Sequence, residues 1–236
     1  MAKPVLLLLP GLLCDDAAWR DQRASLTQAD CVVPHYGMAR SLGEMARIAL
    51  AAVTAPRVSV AGHSMGGRVA LELARIAPER VERMALLDTG VDPLAAGEAG
   101  AKEVAGREAL LRVARTAGMR AMGREWARGM VHPDRLDTPL FDEILAMIER
   151  STAERFAAQI EALIRRPDAR GVLAGLRCPT LIACGRQDAW SPFSRHEEMH
   201  RLCPGSRLAA VEQSGHMTTM EQPAAVTGLL REWLSA

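Results

Sequence analysis

The sequence predicts an α/β fold: a mostly parallel sheet of about six strands, helices on both faces, and an inserted helical block. Three observations carry that expectation. Short apolar runs ended by turn residues alternate with helical patterns over residues 1–90 and again over 177–236, the rhythm of a parallel sheet. Between 91 and 176 only helical patterns occur. Val58 to Ala70 reads as a buried strand, a sharp turn with Ser64 at its apex, and a helix.

The elements follow in order. Val5 to Leu9 is an unbroken apolar run closed by Pro10-Gly11, as a strand covered on both faces requires. Asp15 or Asp16 can cap a helix carrying Trp19 and Leu26, and Cys31 to Tyr36 reads as a second strand. Ser41-Leu-Gly-Glu44 is a capping box that opens a helix with Met45, Ile48, Ala49 and Ala52 on one face. Arg57 to Ala61 leads into the serine turn, and the helix behind it stops near Ala77 before Pro78. Val81 to Leu87 is a strand closed by Asp88-Thr89-Gly90.

The helical block spans 91–176 and separates two halves of one core, 1–90 and 177–236. Its helices are expected near Gly100–Ala117, Met119–Val131, Pro139–Arg150 and, from a capping box at Ser151-Thr-Ala-Glu154, to about Arg165. Such a block reads as a lid over one end of the sheet. Alternation then resumes with a strand from Thr180 to Cys184, a helix from Pro192 to Leu202, a strand from Arg207 to Val211, and a last helix begun by Pro223.

Composition narrows the function. A net charge of +1 gives no footprint for nucleic acid or an anionic membrane, and no apolar stretch is long enough to span a bilayer. The start, Met1 to Pro10, has one positive charge and an apolar run of five residues, too short for a secretory signal. Five cysteines, an odd number with no C-x-x-C pair, read as reduced thiols in a cytoplasmic protein.

Gly62-His63-Ser64-Met65-Gly66 fits G-x-S-x-G. Glycine is needed two places either side of the serine because the turn is tight and the backbones close up. The helix N-terminus behind Ser64 supplies unpaired N–H groups and a positive dipole end where an oxyanion would form. A serine nucleophile needs a base, and the base an orienting acid. Asp188 follows the strand 180–184 and His216 follows 207–211, so the order Ser64…Asp188…His216 is the one expected for G-x-S-x-G enzymes. All three then sit at carboxyl ends of strands, where open α/β sheets bind ligands.

Through Leu9-Pro10-Gly11-Leu12, Gly62-His-Ser-Met-Gly-Gly67, Gly185-Arg-Gln-Asp188 and Ser214-Gly-His216-Met, the sequence resembles the α/β-hydrolase superfamily over essentially its whole length. Within it the chain is most similar to small bacterial esterases, such as oxoadipate enol-lactone hydrolases and carrier-protein methyl esterases. The resemblance implies Ser64 as nucleophile, Asp188 as acid, His216 as base, and an oxyanion hole from the backbone N–H groups of Met65 and Leu12. Two departures stand out. Pro10-Gly11 replaces the His-Gly of many relatives, and the chain begins directly on the strand before that loop, so the N-terminal hairpin of the sheet is expected to be missing.

Some single residues carry rival readings. Asp88 also ends a strand and competes with Asp188 as the acid. His196-Glu-Glu-Met-His200 matches the zinc pattern H-E-x-x-H, but its helix lies between two sheet strands and lacks a third ligand, so it reads as an ordinary helix. Arginines of the block (Arg107, Arg112, Arg115, Arg120, Arg124, Arg128) could hold a substrate carboxylate, with solvated helix faces the plainer reading. Trp190, Trp126, Phe141 and Phe156 are candidate pocket walls, with core packing the plainer reading for the last three.

The expectation is a serine hydrolase acting on a small carboxylic ester, thioester or lactone, with no metal or organic cofactor. The alternatives are a lyase, a C–C bond hydrolase or an acyl transferase using the same residues, and a ligand-binding protein without turnover.

Overall fold

In the first strand, β1 (Val5–Leu9), Leu6, Leu7, Leu8 and Leu9 are fully buried, as an apolar run covered by helices on both sides must be. The computed structural model describes residues 3–236; Met1 and Ala2, the first residues of the segment read as too short for a signal, lie outside it. The other strands are β2 (Asp30–Val32), β3 (Val58–His63), β4 (Val81–Leu87), β5 (Thr180–Gly185) and β6 (Arg207–Val211). They form one six-stranded, all-parallel sheet in the order β2-β1-β3-β4-β5-β6. β3 and β5, central and apolar, are buried throughout, while β2 and β6 at the edges are partly exposed.

The helices are α1 (Arg20–Ser25), α2 (Leu42–Ala51), α3 (Met65–Ile76), α4 (Gly97–Ala117), α5 (Met119–Trp126), α6 (Pro139–Glu149), α7 (Ala153–Ile164), α8 (Arg170–Ala174), α9 (Phe193–Leu202), α10 (Thr218–Glu221) and α11 (Pro223–Ser235). Their packing falls into two sets. α2, α3, α8 and α9 follow one another along one side, and α1, α10 and α11 pack together as another group. No helix of the described residues is long and apolar enough to cross a membrane.

From β1 the chain steps to β2 on one side, then returns to β3 on the other, so the sheet has its topological switch between β1 and β3. A crevice opens at the carboxyl ends of such a pair. The loop after β1 and the serine turn after β3 meet there.

Local expectations shift where tertiary contacts intervene. The second strand stops at Val32, short of the predicted Tyr36, because Pro34 offers no N–H to a ladder and Gly37 turns at φ +57°. Ser41 caps α2 as read, accepting from Glu44 N at 3.1 Å, while Glu44 reaches back to Arg40 N at 2.9 Å. The α7 cap falls one residue later than predicted, on Thr152, whose hydroxyl accepts from Arg155 N at 3.2 Å. The helix expected over 119–131 ends at Trp126; a 3₁₀ turn follows at Ala127–Gly129, and the Met130 carbonyl then turns toward His216 N, 2.6 Å away.

Helices α4 to α7 form the block between β4 and β5, α4 packing on α5 and α7, and α5 on α6. Side chains tie it to the N-terminal part of the core. Arg150 grips Asp15 through two bonds of 2.7 and 3.0 Å, Arg40 reaches Glu161 at 2.8 Å, and Arg20 pairs with Glu143.

Candidate active site

Ser64 stands between β3 and α3 at φ 55° and ψ −117°, a strained conformation for a residue with a side chain. Neighbours enforce it. A Cβ on Gly62 would lie 2.3 Å from Gly66 O, and one on Gly66 would lie 2.0 Å from Leu9 O, so the turn closes against both α3 and the end of β1. The Thr89 hydroxyl donates to Ser64 O at 2.7 Å and fixes the turn from β4.

His216 Nε2 lies 2.8 Å from Ser64 Oγ, and its Nδ1 lies 2.7 Å from Asp188 Oδ2. The other carboxylate oxygen of Asp188 accepts from the N–H groups of Trp190 and Ser191, each at 2.9 Å. Burial works against the Asp188 charge, but the facing His216 and those two amides outweigh it and hold the carboxyl below its ordinary range. The carboxylate thus accepts from His216 Nδ1–H, which leaves Nε2 free to accept the serine proton. Sequence order alone had suggested this trio; the fold brings the three side chains into one hydrogen-bonded line.

The rival acid, Asp88, lies elsewhere. It is fully buried, accepts from Gly185 N at 2.9 Å, bonds the Thr218 hydroxyl, and sits 3.6 Å from His63 Nε2 rather than on His216. Burial and then the negative Asp188 push its carboxyl well above the usual range. His63, the variable residue before Ser64, donates from Nε2 to the His216 carbonyl at 2.7 Å, and burial holds its pKa down to about 4.

Leu12 and Met65 both border the cavity at Ser64, and among the described residues no group accepts from either amide. Two contacts hold the loop that carries Leu12. Gln159 of α7 accepts from Leu13 N at 2.9 Å, which stabilises Leu13 at φ 60°, and the Tyr36 hydroxyl donates to Pro10 O at 3.4 Å.

The loop that carries His216 is held by a carboxylate that no sequence motif marks. Glu221 Oε1 accepts from Gly215 N at 3.0 Å and Met217 N at 3.1 Å, and Oε2 accepts from His132 N of the helical block at 2.7 Å. No motif marks Glu221 or Gln159: Gln159 serves an amide 146 residues away, and Glu221 joins two amides of its own loop to that of His132, 89 residues away. Arg68 did carry a signal: it follows Ser64 by four residues and so lies one turn along α3 on the same face.

Over these groups lies a cavity of about 340 Å³. Trp190, Trp126 and Phe156 line it. Their rings step away from His216: Trp190 is 5.2 Å from His216, Trp126 is 5.1 Å from Trp190, and Phe156 is 6.2 Å from Trp126. Phe141, also predicted as a wall, is a correction. It is buried on the inner face of α6, which packs on α5, and does not reach the cavity. Of the six block arginines considered, Arg107 alone borders the cavity. Arg120 pairs with Asp142 and Glu149 on the surface.

The H-E-x-x-H histidines serve the scaffold. His196 is buried, accepts from Thr89 N at Nε2 (3.1 Å), and donates from Nδ1 to Pro192 O (3.2 Å), so both ring nitrogens are committed. His200 Nδ1 bonds the Ser206 hydroxyl at 2.8 Å.

The family model of the alpha/beta hydrolase family matches residues 6–229. The chain belongs to the alpha/beta hydrolase family. Among hydrolases of known structure, a thermophilic esterase from Thermogutta terrifontis, described with malate bound, is 27% identical with a TM-score of 0.85, over 100% of this chain and 90% of that one. An enol-lactonase from Burkholderia xenovorans LB400 shares the fold at 21% identity and a TM-score of 0.86, over 100% and 93%. A protein of Pseudomonas savastanoi pv. phaseolicola, provisionally named the carbamate hydrolase RutD, is 25% identical over 99% of this chain and 94% of its own length. These likenesses support hydrolytic activity for this alpha/beta hydrolase.

Proposed function

We propose that the protein is a serine hydrolase that cleaves a small carboxylic ester, thioester or lactone through an acyl-enzyme on Ser64. The observation that carries the reading is the line Ser64 Oγ–His216 Nε2 (2.8 Å) and His216 Nδ1–Asp188 Oδ2 (2.7 Å). In this reading His216 takes the serine proton as Oγ attacks the carbonyl, and Asp188 keeps the imidazole tautomer and stabilises its charge. The amides of Met65 and Leu12 receive the oxyanion, a contribution of about 3–4 kcal/mol per donor in comparable sites. The leaving group takes the proton from His216, and a water activated by the same nitrogen then frees the acyl group. The block formed by residues 91–176 acts as the lid that selects the acyl chain. Its Trp126 and Phe156 supply apolar wall. The free thiols Cys14, Cys31, Cys178, Cys184 and Cys203 support a cytoplasmic setting.

Purified protein is expected to hydrolyse short p-nitrophenyl esters and to be labelled by a fluorophosphonate probe. Ser64→Ala should abolish labelling and lower turnover by about 10⁴-fold or more. Unchanged hydrolysis in that variant would sink the assignment. The likeness to a provisionally named carbamate hydrolase supports a second reading, in which the same nucleophile attacks a carbamate. Product analysis with matched ester and carbamate substrates separates the two, and also detects lyase or acyl-transfer use of the site.

A further inference from the structure

The cavity above Ser64 is strongly unbalanced in charge. Arg68, Lys102, Arg107 and Arg195 border it, against Glu103 and Asp88, whose carboxyl burial and then Asp188 push well above the usual range. Glu103 is already engaged: Arg107 reaches it at 2.8 Å, and Arg166 grips both its oxygens at 2.7 and 2.8 Å. Arg68 and Arg195, by contrast, form no ion pair among the described residues. Arg68 gives one N–H to Asp92 O at 2.8 Å, and Arg195 gives one to Trp190 O at 3.2 Å. Each keeps further donors uncommitted.

The two guanidiniums converge. A Cβ on Gly90 would lie 3.1 Å from Arg68 Nη2 and 3.7 Å from Arg195 Nε, so both flank one point of the backbone just past Thr89. The missing side chain at Gly90 is what leaves room for them side by side. Like charges placed together in a partly buried cleft repel. Burial, then Arg166 and Arg195, holds Arg68 down to about 9, although Asp92 and Glu103 act in the other direction. It is still cationic at neutral pH, and an anion between the two would relieve the repulsion. Two planar forks, neither holding a carboxylate, suit a carboxylate by geometry.

We propose that the substrate of this site is an ester or lactone that carries a free carboxylate, held between Arg68 and Arg195 with Lys102 at the cavity mouth, while its scissile carbonyl lies at Ser64. The inference rests on the serine-hydrolase reading and names its substrate class. Arg68 and Ser64 share α3 and its N-terminal turn, so the distance between carboxylate and scissile carbonyl is set by a rigid element.

The test compares kcat/KM for monomethyl glutarate and for methyl butyrate, which lacks the carboxylate, by pH-stat titration. In the unaltered protein the ratio of anionic to neutral ester is expected to exceed about tenfold. In Arg195→Gln, and in Arg68→Gln, that ratio should fall at least tenfold, whereas Arg128→Gln, outside the cavity, should leave it unchanged. Because each ratio is taken within one variant, a general loss of folded enzyme cancels. A ratio near one in the unaltered protein, or a ratio insensitive to both arginine variants, would overturn the proposal. So would preference for methyl 3-phosphonopropanoate over the carboxylate ester. If no ester is cleaved and no fluorophosphonate labelling occurs, the serine-hydrolase reading fails instead. Glutarate binding to the Ser64→Ala protein by calorimetry, lost in the added Arg195→Gln change, then still decides the cation pair.

Discussion

Two histidines beside the site are kept neutral by burial, and this gives the molecule a pH response separate from catalysis. His63 and His196 both have pKa values lowered to about 4, with burial the main cause. An unfolded histidine titrates near 6.5. Between that value and about 4 the unfolded chain therefore binds more protons, and stability falls as pH falls through the window. Asp88 and Glu221, raised by burial, work with the opposite slope, so the informative quantity is a difference between variants. His196→Gln, whose amide oxygen can still accept from Thr89 N, should reduce the slope of unfolding free energy with pH near 5 by about one proton, or about 1.4 kcal/mol per pH unit. Urea titrations at several pH values measure it, and an unaltered slope would show that His196 is not held neutral. At this scale the sequence revealed residues whose chemistry is carried by type and order: Ser64, Asp188 and His216. It was silent on Gln159 and Glu221, whose side chains matter because they accept from backbone amides, those of Leu13 and His132, that approach from far along the chain.

At the level of elements, the strand and helix pattern was readable wherever burial alone decides. β1, β4 and β6 fall on their predicted limits, and β3 and β5 differ from theirs by at most two residues at an end. Expectation failed where a distant partner decides, as at Met130, where α5 gives up its continuation so that a carbonyl can meet His216 N. The serine turn is the element with least tolerance. Gly66→Ala would set a methyl 2.0 Å from the Leu9 carbonyl, which neither β1 nor α3 can vacate, and the expected loss is more than about 3 kcal/mol. Gly228→Ala, in α11 with open space around it, should instead gain about 0.5–1 kcal/mol from helix propensity. Denaturant melts of the two variants provide the comparison. Equal midpoints would contradict the close approach of β1 and α3.

Across the whole molecule, the helical block is joined to the core by two kinds of contact with different sensitivities. Arg150–Asp15, Arg40–Glu161 and Arg20–Glu143 are ion pairs with at least one exposed partner, each worth about 0–1 kcal/mol and weakened by salt. Gln159 with Leu13 N is buried and uncharged, and salt should not touch it. Raising NaCl to about 1 M should accelerate amide exchange in α6 and α7 while β3 stays protected. Arg150→Gln should reproduce part of that change at low salt. Exchange in the block that ignores both would show that the ion pairs do not help to seat it. The block's presence was legible from the missing strands between 91 and 176, but its attachment was not, since surface charges of either sign offer no pattern that identifies their partners.

The segment from Met130 to His132 has a consequence for anyone exchanging helical blocks between relatives to graft a new specificity. It supplies the acceptor for the His216 amide, a donor to Glu221, and the backbone against which Gly215 packs, 2.7 Å from where a Cβ would stand. A chimera joined at the outer ends of the block would import a foreign version of these three contacts along with the new walls. Its histidine would then be aligned by a donor protein's backbone, and a graft meant to change only selectivity would also retune the rate. Splicing after His132 instead, so that the parental Met130–His132 backbone is retained, keeps the two properties separable.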